Sequence, residues 1–149
     1  MKLFTHIQQQ DEKDCGVACM AMILNHYKTE IPIHKLRDFS GTDLEGTSAF
    51  GLKKTFEKLF FDCPAIQADN DVWKEKELPL PLIAHILIEN SYMHYVVVYK
   101  IKGKTLFIDD PAKGKIKKQL KNLLKNGQVF YYYLLPKMLT SQVKKKLRE

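Results

Sequence analysis

Three residues spread along the chain carry the side chains of a nucleophilic cysteine site: Cys15, His94 and Asp110. A cysteine nucleophile needs a base that takes its proton, and the base needs a third group that orients it. Cys15 supplies the thiol, His94 is one of five histidines, and Asp110 directly precedes a proline. This set of side chains predicts acyl transfer, in which a thiolate attacks a carbonyl carbon and the imidazole moves a proton.

The residues around Cys15 favour the nucleophile role. Asp14 is a good helix N-cap residue, and an almost continuous run of apolar and small residues follows from Val17 to Tyr27. We therefore predict a helix over 14–27 with Cys15 in its first turn. The helix dipole and the unpaired N–H groups of that turn stabilise a thiolate. Taken alone, Cys15 is equally well explained as a small buried core thiol.

The base and its orienting group fall on two predicted strands. His94 opens a segment of β-branched and aromatic residues, 94–101, that is typical of a buried strand. A short apolar segment, 105–109, follows after a turn at Gly103 that is typical of a hairpin. Antiparallel pairing brings the start of the first strand beside the end of the second. His94 and Asp110 should therefore be neighbours, although a core histidine and a turn former would each explain one of them separately.

Further motifs surround these residues. They are Gln9-x-Asp11-x-x-Asp14-Cys15-Gly16, Leu44-Glu45-Gly46-Thr47-Ser48-Ala49 with Gly51-Leu52, Pro81-Leu82-Ile83-Ala84-His85, His94-Tyr95 before an apolar strand, and Asp109-Asp110-Pro111 with Gly114. Together they resemble the N-terminal cysteine-peptidase domains of bacterial ABC exporters that process and secrete bacteriocins and peptide pheromones. The resemblance extends over roughly residues 7–136. It implies a papain-like fold and cleavage of a leader peptide after a Gly-Gly or similar pair of small residues.

The resemblance also implies a role for each matching residue. Cys15 corresponds to the nucleophile, His94 to the general base and then acid, and Asp110 to the group that orients the imidazole. Gln9, six residues before Cys15, corresponds to a glutamine of the oxyanion hole. The choice of Asp110 over Asp109 and of Gln9 over its two glutamine neighbours rests on the family spacing, and Asp109→Asn is expected to have a mild effect.

Substrate recognition is expected in two places. The family's cleavage after Gly-Gly implies a narrow slot beside Cys15 that excludes side chains. An upstream amphipathic leader helix would dock on an exposed apolar surface, which is a recurring way of recognising peptides. Leu44, Phe50 and Leu52 are the candidates for that surface, although core packing is an alternative role for each of them.

Two other functions use the same residues. A relative that has lost cleavage would bind a leader peptide without cutting it, and the presence of Cys15 argues against this alternative. A transglutaminase or amidase would use the same Cys–His–Asp set on a side-chain amide, and the triad alone does not exclude it. The resemblance implies a leader peptide as partner, together with the transmembrane and ATP-binding domains of an exporter on the full-length chain. It also implies a location at the cytoplasmic face of the bacterial membrane.

Composition is that of one soluble domain. The chain has 149 residues, 45% hydrophobic and 28% charged, with no apolar run of the ~20 residues that a spanning helix needs. Three cysteines, an odd number, argue against a disulfide framework. We interpret Cys19 and Cys63 as buried thiols, because no second ligand pair accompanies the Cys15/Cys19 spacing, and expect neither a metal nor a cofactor.

The net charge of +7 includes a lysine cluster, which is Lys113, Lys115, Lys117, Lys118, Lys121 and Lys125. No nucleic-acid motif accompanies it, so nucleic acid is not an expected partner and a solvated face is the default interpretation.

The predicted fold class is α+β, with N-terminal helices packed on an antiparallel sheet. Helices are predicted over 14–27, 33–39, 48–60 and 118–126, and strands over 62–67, 82–89, 94–101, 105–109 and 129–135. The peptidase domain should occupy 1–136, followed by a basic linker, 137–149, that leads towards a transmembrane domain absent from this chain.

Overall fold

The computed structural model describes residues 3–88, 92–122 and 128–139 of the chain. Helices come first and strands follow. The helices are α1 (Cys15–His26), α2 (Ile33–Ser40) and α3 (Ala49–Lys58), with 3-10 segments at Glu12–Asp14, Asn70–Lys74 and Leu120–Asn122. The strands are β1 (Phe61–Asp62), β2 (Ala65–Gln67), β3 (Leu82–Ile88), β4 (Tyr92–Lys102), β5 (Thr105–Asp110), β6 (Gly114–Gln119), β7 (Gln128–Leu134) and β8 (Lys137–Met138).

Six of the strands form one antiparallel sheet in the order β2-β7-β3-β4-β5-β6. β7 lies between β2 and β3 and pairs with both, while β3 to β6 are neighbours in chain order. β1 and β8 form a separate two-stranded sheet. Val97 of β4 lies opposite Asp109 of β5, so the end of β5 meets the middle of β4, three residues after His94. This pairing brings His94 close to Asp110, as the hairpin prediction requires.

Helix α1 is the centre of the core on one face of the sheet. Its residues from Cys15 to Leu24 are all buried, and they pack with Ile83, Tyr95 and Val97 of the sheet. Gly16 allows the close approach at the start of the helix. A Cβ atom there would lie 3.2 Å from the Tyr95 ring and 3.3 Å from Leu52, closer than most real contacts of that kind.

A second apolar cluster covers the opposite face of the sheet. It includes Trp73, Leu82, Val96, Ile108 and Tyr133. β4 and β5 are therefore packed on both faces, which gives the two strands that carry His94 and Asp110 a rigid support.

The predicted helices over 14–27, 33–39 and 48–60 are confirmed to within two residues at each end. Ser48 caps α3 by accepting a hydrogen bond from the Gly51 N–H at 3.0 Å. The predicted strand over 62–67 is two short strands that belong to different sheets. They are separated by Cys63 and Pro64, because proline has no N–H to donate to a sheet.

The predicted fourth helix over 118–126 is wrong in its described part. Lys118 and Gln119 end β6, and Leu120–Asn122 is a 3-10 turn, while 123–126 lie outside the described residues. β6 pairs with β5 along its length, and within the described part of the chain no strand lies on its other side. Exposed lysines on such an edge discourage further strand pairing. The described part of the lysine cluster therefore lies on a turn, an edge strand and a 3-10 segment.

The boundary at residue 136 stays a prediction. Lys137 and Met138 pair with β1, and residues 140–149 of the predicted linker lie outside the described residues. Within the described ranges, no helix is long and apolar enough to cross a membrane.

Candidate active site

Cys15 is the first residue of α1 and is 8% exposed. The 3-10 turn Glu12–Asp14 leads into it, and the Asp11 side chain caps that turn by accepting from the Lys13 N–H at 2.9 Å. The first N–H groups of a helix have no partner inside the helix, and the dipole there favours negative charge. Cys15 therefore lies at the positive end of the α1 dipole, beside N–H groups that have no partner inside the helix.

Asp14 is the N-cap residue of α1, as expected, but the expected capping role of its side chain is wrong. Its side chain makes no capping bond and is fully buried, and it accepts from Arg37 Nε at 2.8 Å and from Arg37 Nη2 at 2.5 Å. A charge-assisted, two-bond pair is stronger than a single capping bond, which explains why the carboxylate turns towards α2. The Arg37 bonds hold the pKa of Asp14 below its usual value. The pair ties α2 to the residue immediately before Cys15.

His94 and Asp110 form a buried hydrogen bond, with Nε2 and Oδ1 separated by 2.8 Å. The Ala112 N–H also donates to Asp110 Oδ1 at 2.8 Å, which fixes the carboxylate from the turn that follows β5. The Cys15 side chain also acts on the His94 ring, because it is among the groups that raise the pKa of His94. With Nε2 occupied by Asp110, Nδ1 is left to face the thiol. The structure thus brings the three predicted residues together in the order Cys15, His94, Asp110.

The charges of these groups favour an ion pair. Burial alone lowers the pKa of His94, but the bonds to Asp110 and Cys15 and their negative charges outweigh burial and raise it to about 9. Burial raises the pKa of Asp110, and the His94 bond, followed by the Ala112 N–H, lowers it overall. At neutral pH the imidazole is protonated and the carboxylate is ionised. A protonated imidazole beside Cys15 can give its proton to a leaving group, as a general acid does.

Cys15 opens onto a cavity of about 690 Å³. The face of the sheet forms its floor with His85, Met93 and Tyr95, and the loop between α2 and α3 forms its wall. Near Cys15 that wall consists of the small residues Gly46, Thr47, Ser48 and Ala49. Small side chains next to the thiol leave room for a peptide backbone.

A chain of hydrogen bonds holds that loop. Ser40 Oγ lies 3.1 Å from Thr42 Oγ1, and Thr42 Oγ1 lies 2.5 Å from Thr47 Oγ1. The hydroxyl of Tyr95 then donates to the Thr47 carbonyl at 2.9 Å. The end of α2, the cavity wall and the sheet are therefore linked through side chains.

Gln9 lies on the segment that precedes the 3-10 turn. Its side-chain Nε2 donates to the Asp11 carbonyl at 3.0 Å, and its backbone N–H donates to the Pro111 carbonyl at 2.9 Å. One Nε2–H thus faces Asp11, and the second remains for another acceptor. The expected oxyanion role of Gln9 stays a prediction.

The three candidate contacts for a leader peptide differ in exposure. Leu44 is 91% exposed at the cavity rim and Phe50 is 67% exposed on α3. Leu52 is fully buried in the core against Gly16, so its expected place on a docking surface is corrected to a packing role. Phe50 and Leu52 are two positions apart in α3, about half a turn, so they lie on opposite faces of the helix, a distinction that their apolar character alone does not reveal.

The other two cysteines are core residues, as expected. Cys19 and Cys63 are fully buried. Burial raises the pKa of both thiols, to about 12 for Cys63. Neither thiol is a nucleophile at neutral pH.

Two features of the site were not predicted from the sequence. His85 stacks on Tyr95 in the cavity floor, with ring centroids 4.1 Å apart, and burial followed by the charge of His94 lowers the pKa of His85 to about 4. Both residues lie five positions from Asn90, so a hairpin centred there would have paired them. The second feature is a bond between His6 and Asp109. They are 103 residues apart, and no local pattern joins them.

Comparison with known families gives one match that covers most of the chain. The sequence model of the Peptidase C39 family matches residues 4–136. The match includes every residue of the candidate site.

Curated relatives share this segment. The chain is 62% identical over 131 residues to the lactococcin-G-processing and transport ATP-binding protein LagD of Lactococcus lactis subsp. lactis, covering 88% of this chain and 19% of that protein. It is 51% identical over 110 residues to the mesentericin-Y105 transport/processing ATP-binding protein MesD of Leuconostoc mesenteroides, covering 74% and 15%. The chain thus spans about a fifth or less of the length of these relatives.

Solved structures show the same fold. The peptidase domain of Streptococcus ComA, a bi-functional ABC transporter involved in a quorum sensing pathway, superimposes with a TM-score of 0.83 at 27% identity, covering 92% of this chain and 100% of that one. A double glycine motif protease from an AMS/PCAT transporter, in complex with the leader peptide, gives 0.79 at 28% identity and covers 91% of each chain. The α+β, papain-like fold expected from the sequence is confirmed.

Proposed function

Because this chain belongs to the peptidase C39 family, a family of cysteine peptidases, we propose that it cleaves the leader peptide of a bacteriocin, lantibiotic or peptide-pheromone precursor after a Gly-Gly-type site. The observation that carries the proposal is the linked set of Cys15, His94 and Asp110 at the edge of an open cavity. The names of the relatives, which process and transport peptides, support the choice of substrate class.

In the proposed reaction the Cys15 thiolate attacks the carbonyl carbon of the residue before the cleavage site. The tetrahedral intermediate collapses to a thioester as His94 gives its proton to the leaving amine. His94 then takes a proton from water, which attacks the thioester and releases the leader with a free carboxylate. Asp110 keeps the imidazole oriented throughout, through the 2.8 Å bond to Nε2.

The oxyanion of each tetrahedral intermediate needs hydrogen-bond donors. A backbone N–H at the start of α1 and the second Nε2–H of Gln9 are the donors we assign to it. Removing one such donor costs about 10²–10³ in kcat in a well-studied protease. Binding the oxyanion requires that the Gln9 amide rotates little. The bond from Gln9 Nε2 to the Asp11 carbonyl restricts that rotation.

Specificity follows from the cavity wall. Gly46, Thr47, Ser48 and Ala49 are small, and Tyr95 closes the floor opposite them. Two glycines of the peptide would fit between wall and floor, whereas larger side chains would meet the wall. Leu44, at the rim of the same cavity, and Phe50, on the neighbouring turn of α3, are the contacts we assign to apolar residues of an upstream leader helix.

We further assign the domain to the cytoplasmic face of a bacterial membrane, attached to the transmembrane and ATP-binding parts of an exporter. The support is that the curated relatives are transport proteins of which this segment is a small part. In such an arrangement cleavage removes the leader as the peptide is exported.

Mass spectrometry of the products tests the proposal. The wild-type chain and Cys15→Ala are incubated with a precursor peptide that contains a leader and a Gly-Gly junction. We expect wild type to release two fragments that separate after the second glycine, and Cys15→Ala to release none. A peptide that is bound but left intact by wild type would indicate a binding module. A product with a changed glutamine mass or an isopeptide cross-link would indicate an amidase or transglutaminase.

A further inference from the structure

A second histidine–aspartate pair lies directly beside the first. His6 Nδ1 and Asp109 Oδ1 are 2.5 Å apart, and Asp109 is the chain neighbour of Asp110. The Asp109 side chain is fully buried, whereas that of His6 is 28% exposed. Neither residue has a task in the reaction proposed above. An ion pair of this kind inside a site calls for an explanation.

The pair is one of several bonds that fasten the N-terminal strap, residues 6–9, to the turn after β5. His6 Nε2 lies 2.9 Å from Gln8 Oε1, and Gln8 Nε2 donates to the Ala112 carbonyl at 3.0 Å. The Gln9 N–H donates to the Pro111 carbonyl at 2.9 Å. His6, Gln8 and Gln9 thus each contact β5 or the turn that follows it, either directly or through one another.

These bonds define the charge of His6. Gln8 uses its amide nitrogen for Ala112, so its oxygen must face His6 Nε2, which has to be the donor. Nδ1 faces a carboxylate oxygen and is also a donor. Both ring nitrogens therefore carry hydrogen, and His6 is an imidazolium paired with the Asp109 carboxylate. In agreement, the bonds to Gln8 and Asp109 outweigh burial and raise the pKa of His6.

The strap and the turn both belong to the proposed site. The strap ends at Gln9, the assigned oxyanion donor, and the turn supplies the Ala112 N–H that holds the Asp110 carboxylate. Terminal segments usually fray unless something ties them down. For this strap, the bond between His6 and Asp109 is a tie between two side chains, and its acceptor side chain is fully buried.

We propose that His6 and Asp109 are positioning residues, whose buried ion pair anchors the strap and thereby holds the Gln9 amide where it can bind the oxyanion. The proposal rests on the proposed peptidase function and on the role assigned to Gln9. Among the described residues, His6 is the only one that gives the Asp109 carboxylate a hydrogen bond. Loss of the His6 bond would leave a buried carboxylate without that partner, which is strongly destabilising. The bond therefore keeps the strap attached in the intact protein.

The expected kinetic effect is selective. An oxyanion contact exists in the transition state and not in the substrate complex, so its misplacement lowers kcat and leaves KM nearly unchanged. We expect His6→Ala to lower kcat by about tenfold or more, up to the 10²–10³ expected for loss of the donor itself. KM for the leader peptide should stay within about twofold, because the assigned leader contacts lie elsewhere.

A double-mutant cycle separates positioning from a general structural role. The four proteins are wild type, His6→Ala, Gln9→Ala and the double variant, measured with the same leader peptide. If His6 acts through Gln9, the double variant has nearly the kcat of Gln9→Ala alone, because an absent amide needs no anchor. Asp109→Asn keeps an oxygen that accepts from His6 and should retain more kcat than Asp109→Ala. His34→Ala, on the exposed side of α2, is the matched histidine control and should keep wild-type kinetics.

Two results would overturn the proposal. One is a kcat of His6→Ala equal to that of wild type. The other is a multiplicative loss in the double variant, which would show that His6 and Gln9 act independently. Both require that wild type cleaves the peptide, so they differ from a failure of the peptidase proposal, in which wild type itself leaves the peptide intact. Melting curves of all variants identify any protein that has lost its fold.

Discussion

Replacing Gly51 by alanine should displace the wall of the cavity by pushing on the end of α2. Gly51 lies in the first turn of α3, and a Cβ atom there would be 2.2 Å from the backbone carbonyl oxygen of Ser40 at the end of α2. Because ordinary contacts of this kind exceed about 3 Å, one helix must retreat by about 1 Å. Backbone cannot move aside as a flexible side chain can. Ser40 is the first member of the hydrogen-bond chain that runs through Thr42 to Thr47 beside Cys15.

Two opposing effects determine the expected change in stability, and a third determines the expected change in kcat/KM. Overpacking costs typically 1–3 kcal/mol, and the higher helix propensity of alanine offsets about 1 kcal/mol of it. A net loss of about 0–2 kcal/mol lowers the Tm of a domain of this size by up to roughly 8 °C. If the 1 Å displacement reaches Thr47, misplacement of the substrate costs up to about 10²-fold in kcat/KM.

The assay compares Gly51→Ala with Gly103→Ala, each measured for Tm by circular dichroism and for kcat/KM on a leader peptide. Gly103 has open space around its Cα but a φ of +60°, so alanine there is strained without a clash. It lies in the turn between β4 and β5, and it should lose stability without losing activity. A folded Gly51→Ala with kcat/KM within about threefold of wild type would refute the coupling of Ser40 to the cavity wall. Equal losses of activity in both variants would refute it as well.

Three further outcomes are expected. Asp110→Asn should fold normally and lose about 10⁴ in kcat, as the corresponding change does in a serine protease, measured by initial rates of peptide cleavage; an unimpaired variant would contradict the orienting role. Activity should fall as pH rises through about 9, because above its raised pKa His94 loses the proton that the leaving amine needs. The profile of kcat between pH 6 and 10 measures this effect, and a kcat that stays constant up to pH 10 would contradict it. Leu44→Ser and Phe50→Ser should raise KM about 10-fold or more with little change in kcat, since remote contacts bind substrate and transition state alike; an unchanged KM in both would remove them from the docking surface.

The part of the fold that could be predicted depends on local patterns. The apolar run after Cys15 and the capping residue Ser48 mark helix starts, and the hairpin around Gly103 follows from turn chemistry and strand composition. These patterns were sufficient to bring His94 beside Asp110, because register in a short hairpin is fixed by its turn.

The wrong predictions depend on partners that are distant in the chain. The Asp14 carboxylate could accept a capping bond from its own helix, but it binds Arg37 instead, 23 residues later in the chain. The lysine-rich segment at Lys117 has no clear period of its own, and its pairing with Phe107 in β5 decides that it is a strand. Composition cannot rank such alternatives, since tertiary contacts override local propensity.

The same limit applies to the site. The side chains of a Cys–His–Asp set are visible as residue types, whereas the burial of Leu52 and the bond between His6 and Asp109 arise from packing between distant segments. Only a mild effect is expected of Asp109→Asn from the sequence, because the family spacing favours Asp110 as the orienting group. The complete burial of Asp109 and its ionic partner make it a candidate for a second task.

The position of β7 between β2 and β3 has a consequence for the order of synthesis. Cys15, His94 and Asp110 all leave the ribosome before β7, yet the long sheet is complete only when β7 has been made and inserted beside β3. Until then β3 has an unpaired edge, and the strand that closes it must enter an interior place from the end of the domain. Such non-local pairing is slow to form and exposes strand edges while it is pending. A nascent chain that ends before β7 therefore has every catalytic candidate and an open sheet, so the ability to cut a peptide should arise only after β7 has been made.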